Sequence, residues 1–424
     1  MIPTVLGPIE SSSVTGGCSP HERLLQHTIP SDIKDIRDTP ITLVNLAAAR
    51  THPDRFAASN RLFSRDESVQ ELGTLADAGG ALVLACSTVE EGRDPAGLAD
   101  ISRRSGMGVV MAASWAGDSP TTSQSTAETI GRELERQLLF GEHIDSDGAV
   151  SRTTLAPAAS RAQAGFLVVC LDQDASSGGP RAAPSELSGL SGKTASALEG
   201  AQWAQRATGA PLVIVSSHFV RWRCLESAMT IANVRRDAEL TAGGQIIVAG
   251  MHGGSSQALS DQVALLRTGV VLCFDCFGRV EWLAGPEYYP SDEESAVRIA
   301  DLVRQGFAEQ IVISQGVSRR IHLSRCGGYG YGHALRTVPP RLHRLGVSSG
   351  DIALIIRGNV LRLLDWYTPP PPAEVPKDYL PCSWCKAKFE PIEGEYFHKF
   401  QFVYCGIKCL RLHRETGFDP ARVG

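Results

Sequence analysis

The stretch "QIVISQG", Gln310–Gly316, is an apolar run that ends abruptly in a polar residue and a glycine. It does not alternate apolar and polar positions. A near-continuous run of this length suits a strand buried on both faces, as in a parallel sheet covered by helices. The same kind of run recurs along the chain: "ALVLACS" (Ala81–Ser87), "GVVMAAS" (Gly108–Ser114), "GFLVVCL" (Gly165–Leu171), "PLVIVSS" (Pro211–Ser217), "QIIVAGM" (Gln245–Met251) and "GVVLCFD" (Gly269–Asp275). A shorter one near Val14–Ser19 brings the count to eight. Helix-length segments lie between them, among them "DESVQELGTLADAG", "TAETIGRELERQLLFG", "SALEGAQWAQRATG" and "SDEESAVRIADLVRQG", several closed by glycine. Eight such units over about 350 residues point to an α/β (β/α)₈ TIM barrel with long loop insertions, a doubly wound open sheet being the alternative.

The bulk numbers agree with this size. The chain has 424 residues, 43% of them hydrophobic and 21% charged, so a large core is within reach. A net charge of −5 gives no general footprint for nucleic acid or a membrane surface. No apolar run approaches the ~18 residues that span a bilayer, and the N-terminus lacks the basic and apolar regions of a signal peptide. A soluble protein of a reducing intracellular compartment is expected, cytoplasmic with the nucleus as an alternative. Glu142–Arg161 and Ala175–Ser191 are rich in Ser, Ala, Gly and Pro and read as loop insertions. At "TPPPPAEVP" (Thr368–Pro376) the barrel pattern stops, and consecutive prolines make a stiff spacer. The expected organisation is a barrel over residues 1–367, a linker over 368–376 and a small module over 377–424.

Eleven cysteines divide into two groups. Seven are scattered, several inside apolar runs where a thiol behaves as a small buried hydrophobe. The other four form two pairs, Cys382-x₂-Cys385 and Cys405-x₃-Cys409, separated by 19 residues. Thiolates at this spacing close a tetrahedral Zn²⁺ site, and the second pair opens a helix, "CGIKCLRLHRE". The pattern resembles a treble clef with an FCS-type second pair, and one structural zinc per chain is expected. His398 and His413 are read as surface residues of a hairpin and a helix. From Lys377 onward eight Lys/Arg face six Asp/Glu, too weak a balance for a nucleic-acid reader, so protein partners are favoured. Five of the seven lysines fall in this tail, which supports a separate module.

A family resemblance accumulates in chain order. "TVLGPIESSSVTGGCSPHERLL", "EEGRDPAGLADISRRSGMGVVMAAS", "GVVLCFDCFG", "SDEESAVRIADLVRQGFAEQIVIS" and "GGYGYGHALRTVPPRLHRLGVSSGDIALIIRGNVLRLL" together resemble the phosphotriesterase-related branch of the amidohydrolase superfamily over roughly Thr4–Leu364. The resemblance implies a barrel with two divalent metals at its mouth, hydrolysing phosphotriesters, lactones or related esters. Its ligands would be H-x-H on strand 1, a carbamylated Lys or a Glu on strand 4, His on strands 5 and 6, and Asp on strand 8. Carried over position by position, His21 is kept, but Arg23 stands at the second histidine. Val168 or Val169 stands on strand 4, Val215 on strand 5, Gly250 on strand 6 and Gly316 on strand 8.

A guanidinium binds no cation, and displaced donors such as Glu22, Asp172, His218, His252 and Asp275 sit off register by a residue or more. A binuclear centre is therefore expected to be absent. Arg23 is read either as half of an Arg–Glu ion pair, which is favoured, or as an anion site for a small ligand at the barrel mouth. "GGYGYGH" has neither P-loop nor dinucleotide pattern, so Tyr331 and His333 are read as packing residues. The expectation is a catalytically inactive, scaffold-like barrel binding protein partners through a zinc-supported module. The rivals are an ester hydrolase with a rearranged site using His21, Glu22 and His252 or His218, and a zinc-module adaptor on nucleic acid.

Overall fold

The computed structural model describes residues 1–27, 39–62, 64–115, 126–144, 150–151, 161–171, 192–216, 246–252, 257–279, 289–368, 380–389 and 396–419. Eight parallel strands lie in one sheet in chain order: β1 (Gly17–Glu22), β2 (Gly80–Ala85), β3 (Gly108–Ala113), β4 (Ala164–Leu171), β5 (Leu212–Ser216), β6 (Ile246–Met251), β7 (Val271–Phe274) and β8 (Ile311–Ile313). Helices intervene: α1 (Arg65–Asp77), α2 (Pro95–Ser105), α3 (Ala127–Leu139), α4 (Gly192–Thr208), α5 (Leu259–Leu266) and α6 (Asp292–Arg304), with α7 (His333–Arg344) after β8. This is a nearly closed TIM-type barrel. Sequential order with parallel pairing is the signature that separates it from a doubly wound sheet, where the order reverses.

The strands carry apolar residues on both faces because both are covered. One set, including Leu82, Leu84, Val110, Ala112, Phe166, Val168, Val213, Val215, Ile247 and Cys273, fills the interior. Four of these helices, α1, α2, α3 and α6, start where a short polar side chain can satisfy a free amide. Ser64, Asp94 and Thr126 accept from Glu67, Gly97 and Thr129 N–H groups, and Ser291 with Glu294 forms a capping box before α6. The acidic turn Asp292-Glu293-Glu294 thus begins a helix, as its charge pattern suggests.

The chain divides into two compact units, residues 1–141 with 162–367, and residues 142–161 with 368–424. Within 142–161 the reading as plain loop needs correction. Glu142–Ile144 and Val150–Ser151 are antiparallel strands, held by His143–Ser151 and Ile144–Val150 pairs. The alternating small and polar residues gave no core-facing pattern to signal them. The insertion Ala175–Ser191, His218, Asp172, Cys224 and most of the proline linker lie outside the described residues.

The tail forms two short hairpins and a helix: β9 (Leu380–Pro381) with β10 (Lys388–Phe389), β11 (Phe397–Lys399) with β12 (Phe402–Tyr404), then α8 (Ile407–Glu415). Its small core is Cys382, Phe389, Phe402 and Tyr404. His413 corrects an expectation: it is fully buried, not on the helix surface. Its Nδ1 meets the Tyr404 hydroxyl at 2.9 Å, its Nε2 meets the Asp419 carbonyl at 3.1 Å, and the rings of Trp384, Phe402 and Phe418 pack around it. The helix turns this position inward because a module so small buries whatever ring lies between its hairpin and its helix.

Candidate functional site

The seam where β1 meets β8 is built around Glu22, which is fully buried. Its carboxylate accepts from Ser19 Oγ at 2.6 Å and Ser314 Oγ at 2.7 Å. It also accepts from three consecutive backbone amides, Gln315 at 2.8 Å, Gly316 at 3.1 Å and Val317 at 2.7 Å. Burial raises the Glu22 carboxyl above its ordinary range, and the donors from Ser19, Ser314 and Val317 pull in the opposite direction. The Arg23 amide then donates to the Val317 carbonyl at 2.9 Å, so the last gap in the barrel is closed largely through one carboxylate.

Beside it, His21 Nδ1 lies 2.5 Å from Asp275 Oδ2, both residues being over nine-tenths buried. Asp275 also accepts the Gly250 amide at 3.0 Å. Burial pushes the Asp275 carboxyl up, but the charge and hydrogen bond of His21 and the Gly250 amide outweigh it and leave it below the usual carboxylate range. The opposite ring nitrogen, His21 Nε2, has no hydrogen-bond partner among the described residues.

The other expected positions take three different forms. Arg23 is half of an ion pair: its Nε and Nη2 reach Glu91 Oε1 at 3.1 and 2.9 Å, and Glu91 Oε2 accepts the Thr88 amide. Burial raises the Glu91 carboxyl, yet the Arg23 charge and hydrogen bond hold it below its ordinary value. Val168 and Val215 belong to the interior apolar core, whereas Val169 pairs in register with Ile214 on the alternate face; of the two strand-4 positions, Val168 is the inward one. Gly250 and Gly316 contribute amides, to Asp275 and Glu22 respectively. Gly316 sits at φ +70°, and a Cβ there would fall 2.1 Å from the Asp275 carbonyl oxygen, so this backbone leaves no room for a side chain.

Among the described residues, Asp275 is the displaced donor whose side chain meets His21. Glu22 is spent on the seam. The His252 amide donates to Gln257 and its carbonyl accepts from Gln262, while its ring lies edge-on to Tyr289. The thiols of Cys86 and Cys273 are pushed well up by burial, the opposite of what a nucleophile needs. Tyr331 donates to the Arg23 carbonyl at 2.8 Å, and His333 Nε2 binds Asp292 at 2.7 Å, so both brace the loop after β8. Sequence reading missed the cross-links themselves: Gln315, which joins the Phe277 carbonyl to the Ala334 amide, and Glu91 as the partner of Arg23. The one available signal was polarity at the ends of otherwise apolar strands.

Among the described residues, the group of three or more His, Cys, Asp or Glu placed to hold a metal is Cys382, Cys385, Cys405 and Cys409, whose sulfurs lie within 4.8 Å of one another. Cys385 and Cys405 sulfurs are 3.6 Å apart, and those of Cys405 and Cys409 are 3.8 Å apart. A tetrahedron with Zn–S bonds of about 2.3 Å has edges of about 3.8 Å, so the four thiols fit zinc. The first pair sits in a knuckle in which the Cys382 amide donates to the Ala387 carbonyl and the Lys386 amide to the Cys382 carbonyl, with Lys386 at φ +60°. The second pair flanks the start of α8. Without a cation the four cannot all ionise. Hydrogen bonds among the four thiols draw Cys382 and Cys385 down and push Cys405 and Cys409 up, with burial adding to the rise.

Comparison with known proteins follows the same division. Residues 183–364 match the Phosphotriesterase family and residues 377–421 match the Vms1-associating treble clef domain. An N-acetyltaurine hydrolase of Dictyostelium discoideum is 25% identical over 343 residues, covering 78% of this chain and 82% of its own. Another, from Tetraodon nigroviridis, is 22% identical over 84% of this chain and 96% of its own. Among solved structures, a resiniferatoxin-binding protein from Rhodobacter sphaeroides aligns with TM-score 0.66 at 25% identity, over 86% of this chain and 94% of that one. The phosphotriesterase homology protein of Escherichia coli shares the fold, with TM-score 0.58 at 18% identity over 83% of this chain and 99% of that one. The chain thus carries a barrel that matches the Phosphotriesterase family over residues 183–364 and a C-terminal segment that matches a treble clef domain over residues 377–421.

Proposed function

We propose that the barrel works without a binuclear metal centre and serves as a binding or scaffold component, with one structural zinc held by Cys382, Cys385, Cys405 and Cys409. The observation that carries this reading is the Glu22 carboxylate, whose oxygens are taken up by five donors of the chain itself at the mouth where relatives would place metals. On this reading His21, Arg23, Val168, Val215, Gly250 and Gly316 are vestigial positions. Each has a structural partner or an apolar setting in place of a metal. The name of the tail's domain, Vms1-associating, supports protein partners, and one structural relative is a resiniferatoxin-binding protein, which supports a binding role for the barrel. The working division is a barrel over 1–367, a linker over 368–376 and a module over 377–424. Among the described residues ten cysteines are free, and four thiols that must stay reduced to bind zinc suit a reducing intracellular compartment. Among the described residues no helix is long and apolar enough to cross a membrane.

Metal analysis with activity assays tests the proposal. About one zinc per chain, lost in Cys382→Ser/Cys405→Ser, with no turnover of N-acetyltaurine, phosphotriesters or lactones, is the expected result. Two further metals retained in that variant, with hydrolysis abolished by His21→Ala, would overturn it. A second reading, hydrolysis of small amides or esters, draws on the His21–Asp275 pair. A carboxylate on Nδ1 and an unpartnered Nε2 are the arrangement of an oriented base, and the relatives named N-acetyltaurine hydrolase span most of the chain. Metal-independent turnover lost in both His21→Ala and Asp275→Asn would select that reading.

A further inference from the structure

A cavity of about 90 Å³ lies past the C-terminal ends of β2 and β3, against the last residues of β4, with α3 and α4 bordering it. Space of about 10–15 Å³ admits one water, so this cavity has room for several waters or a short organic molecule. We propose that it binds a small neutral carbonyl compound, whose oxygen accepts from the Ser114 or Thr88 hydroxyl.

The walls select the body of the ligand. Leu134, Val168, Val169 and Ala197 line the cavity, and the first three are buried. Apolar walls with a few placed polar groups are the usual make-up of a small-molecule site, and the C-terminal face of a barrel is a usual place for one.

Two hydroxyls select the head. Ser114 and Thr88 line the same cavity and are 2% and 9% exposed. Ser114 Oγ accepts the Val89 amide at 2.9 Å, and Thr88 Oγ1 accepts the Glu91 amide at 3.2 Å. Each amide fixes its oxygen, and a hydroxyl has one proton to give besides its lone pairs. Neither O–H donates to a described group. A buried donor left unmade is costly, so an acceptor inside the cavity is favoured.

Charge then excludes an anionic head. No Lys, Arg or His is among the described residues that line the cavity, whereas Glu90 stands exposed at its rim. Arg23, whose charge reaches Cys170 on the lining, is already neutralised by Glu91. A carboxylate or sulfonate would lie there without a counter-charge, which is expensive away from water. The inference holds whether the barrel is a scaffold or a hydrolase, because no chemical step enters it.

NMR titration of the full-length, zinc-loaded protein with N-methylpropanamide tests this. Butanoate, with the same number of non-hydrogen atoms, is the anionic arm. Saturable binding of the amide is expected, with butanoate about tenfold weaker. Ala197→Met on α4 fills the cavity without removing a side-chain hydrogen bond and is expected to abolish saturation. Ser114→Ala should weaken the amide roughly threefold. Arg132→Gln, at an exposed arginine paired with Glu128 on α3, should leave binding unchanged. No saturation by the amide in the native chain, equal affinity for butanoate, or full binding in Ala197→Met overturns the proposal. An equal loss in Arg132→Gln does so too. Should Ser114→Ala disturb the fold through the stranded Val89 amide, Ala197→Met and the butanoate arm decide.

Discussion

The β1–β8 seam buries a carboxylate and the cysteine module crowds four thiols together, and the two are compensated by opposite means. Glu22 meets five N–H and O–H donors contributed by strands that must pack together anyway. The four thiols lie 3.6–3.8 Å apart where sulfurs approach most closely and are placed to hold a cation. A large barrel can spare backbone amides for a buried carboxylate. A module of under fifty residues has a small core, and on the proposed zinc reading its folding is coupled to metal binding.

The sharpest way to break this comparison is to remove a thiolate. Cys409→Ser is expected to abolish zinc binding and unfold the tail, since zinc contributes about 10–16 kcal/mol in finger peptides. Metal analysis with NMR of the tail would show it, and a chelator should reproduce the effect in the native chain while the barrel's signals persist. If the tail stays folded without zinc, the contrast fails. Glu22→Ala strands three amides in the seam and takes an acceptor from the Ser19 and Ser314 hydroxyls, and is expected to cost about 3–5 kcal/mol by urea unfolding. An effect below about 1 kcal/mol would mean the seam is held elsewhere. Gly316→Asp, which writes back the family's acid, is expected to cost about 3 kcal/mol through its positive φ and the contact with the Asp275 carbonyl, with no gain of metal. Metal uptake with unchanged stability would contradict the described backbone.

The smallest effect concerns pH. Asp275 is held below its ordinary value, so the stability it contributes is present above the unfolded pKa of about 3.9 and is lost as pH falls through the folded value. Native protein should therefore lose stability more steeply below about pH 4 than Asp275→Asn. Parallel urea-midpoint curves for the two proteins would remove Asp275 from the account.

Much of the barrel is legible in the order of residues, because a strand buried on both faces must be apolar throughout and "GFLVVCL" or "QIVISQG" admits little else. The cysteine ligands are equally local: Cys382 and Cys385 share one knuckle, and Cys409 follows Cys405 by one helical turn. The mouth is different. Four of the five donors to Glu22 lie some 292 to 295 residues away, His21 finds Asp275 at a separation of 254, and Arg23 finds Glu91 at 68. An ion pair for Arg23 was foreseeable from its charge, whereas the identity of Glu91 was not. His413 shows the same limit on a small scale. Helical spacing does not say which side of α8 a hairpin will cover.

By itself, then, the order of residues determined the eight strands, their parallel class, the four thiols and the apolar or glycine residues at Val168, Val215, Gly250 and Gly316. Only the tertiary structure decided what stands at the strand ends: a carboxylate closing the barrel, a histidine held by Asp275, and an arginine neutralised by Glu91. The physical reason is range. Burial and ligand spacing are properties of a few neighbouring residues, whereas the partner of a buried charge is chosen by which distant strand end the closed barrel brings within 3 Å.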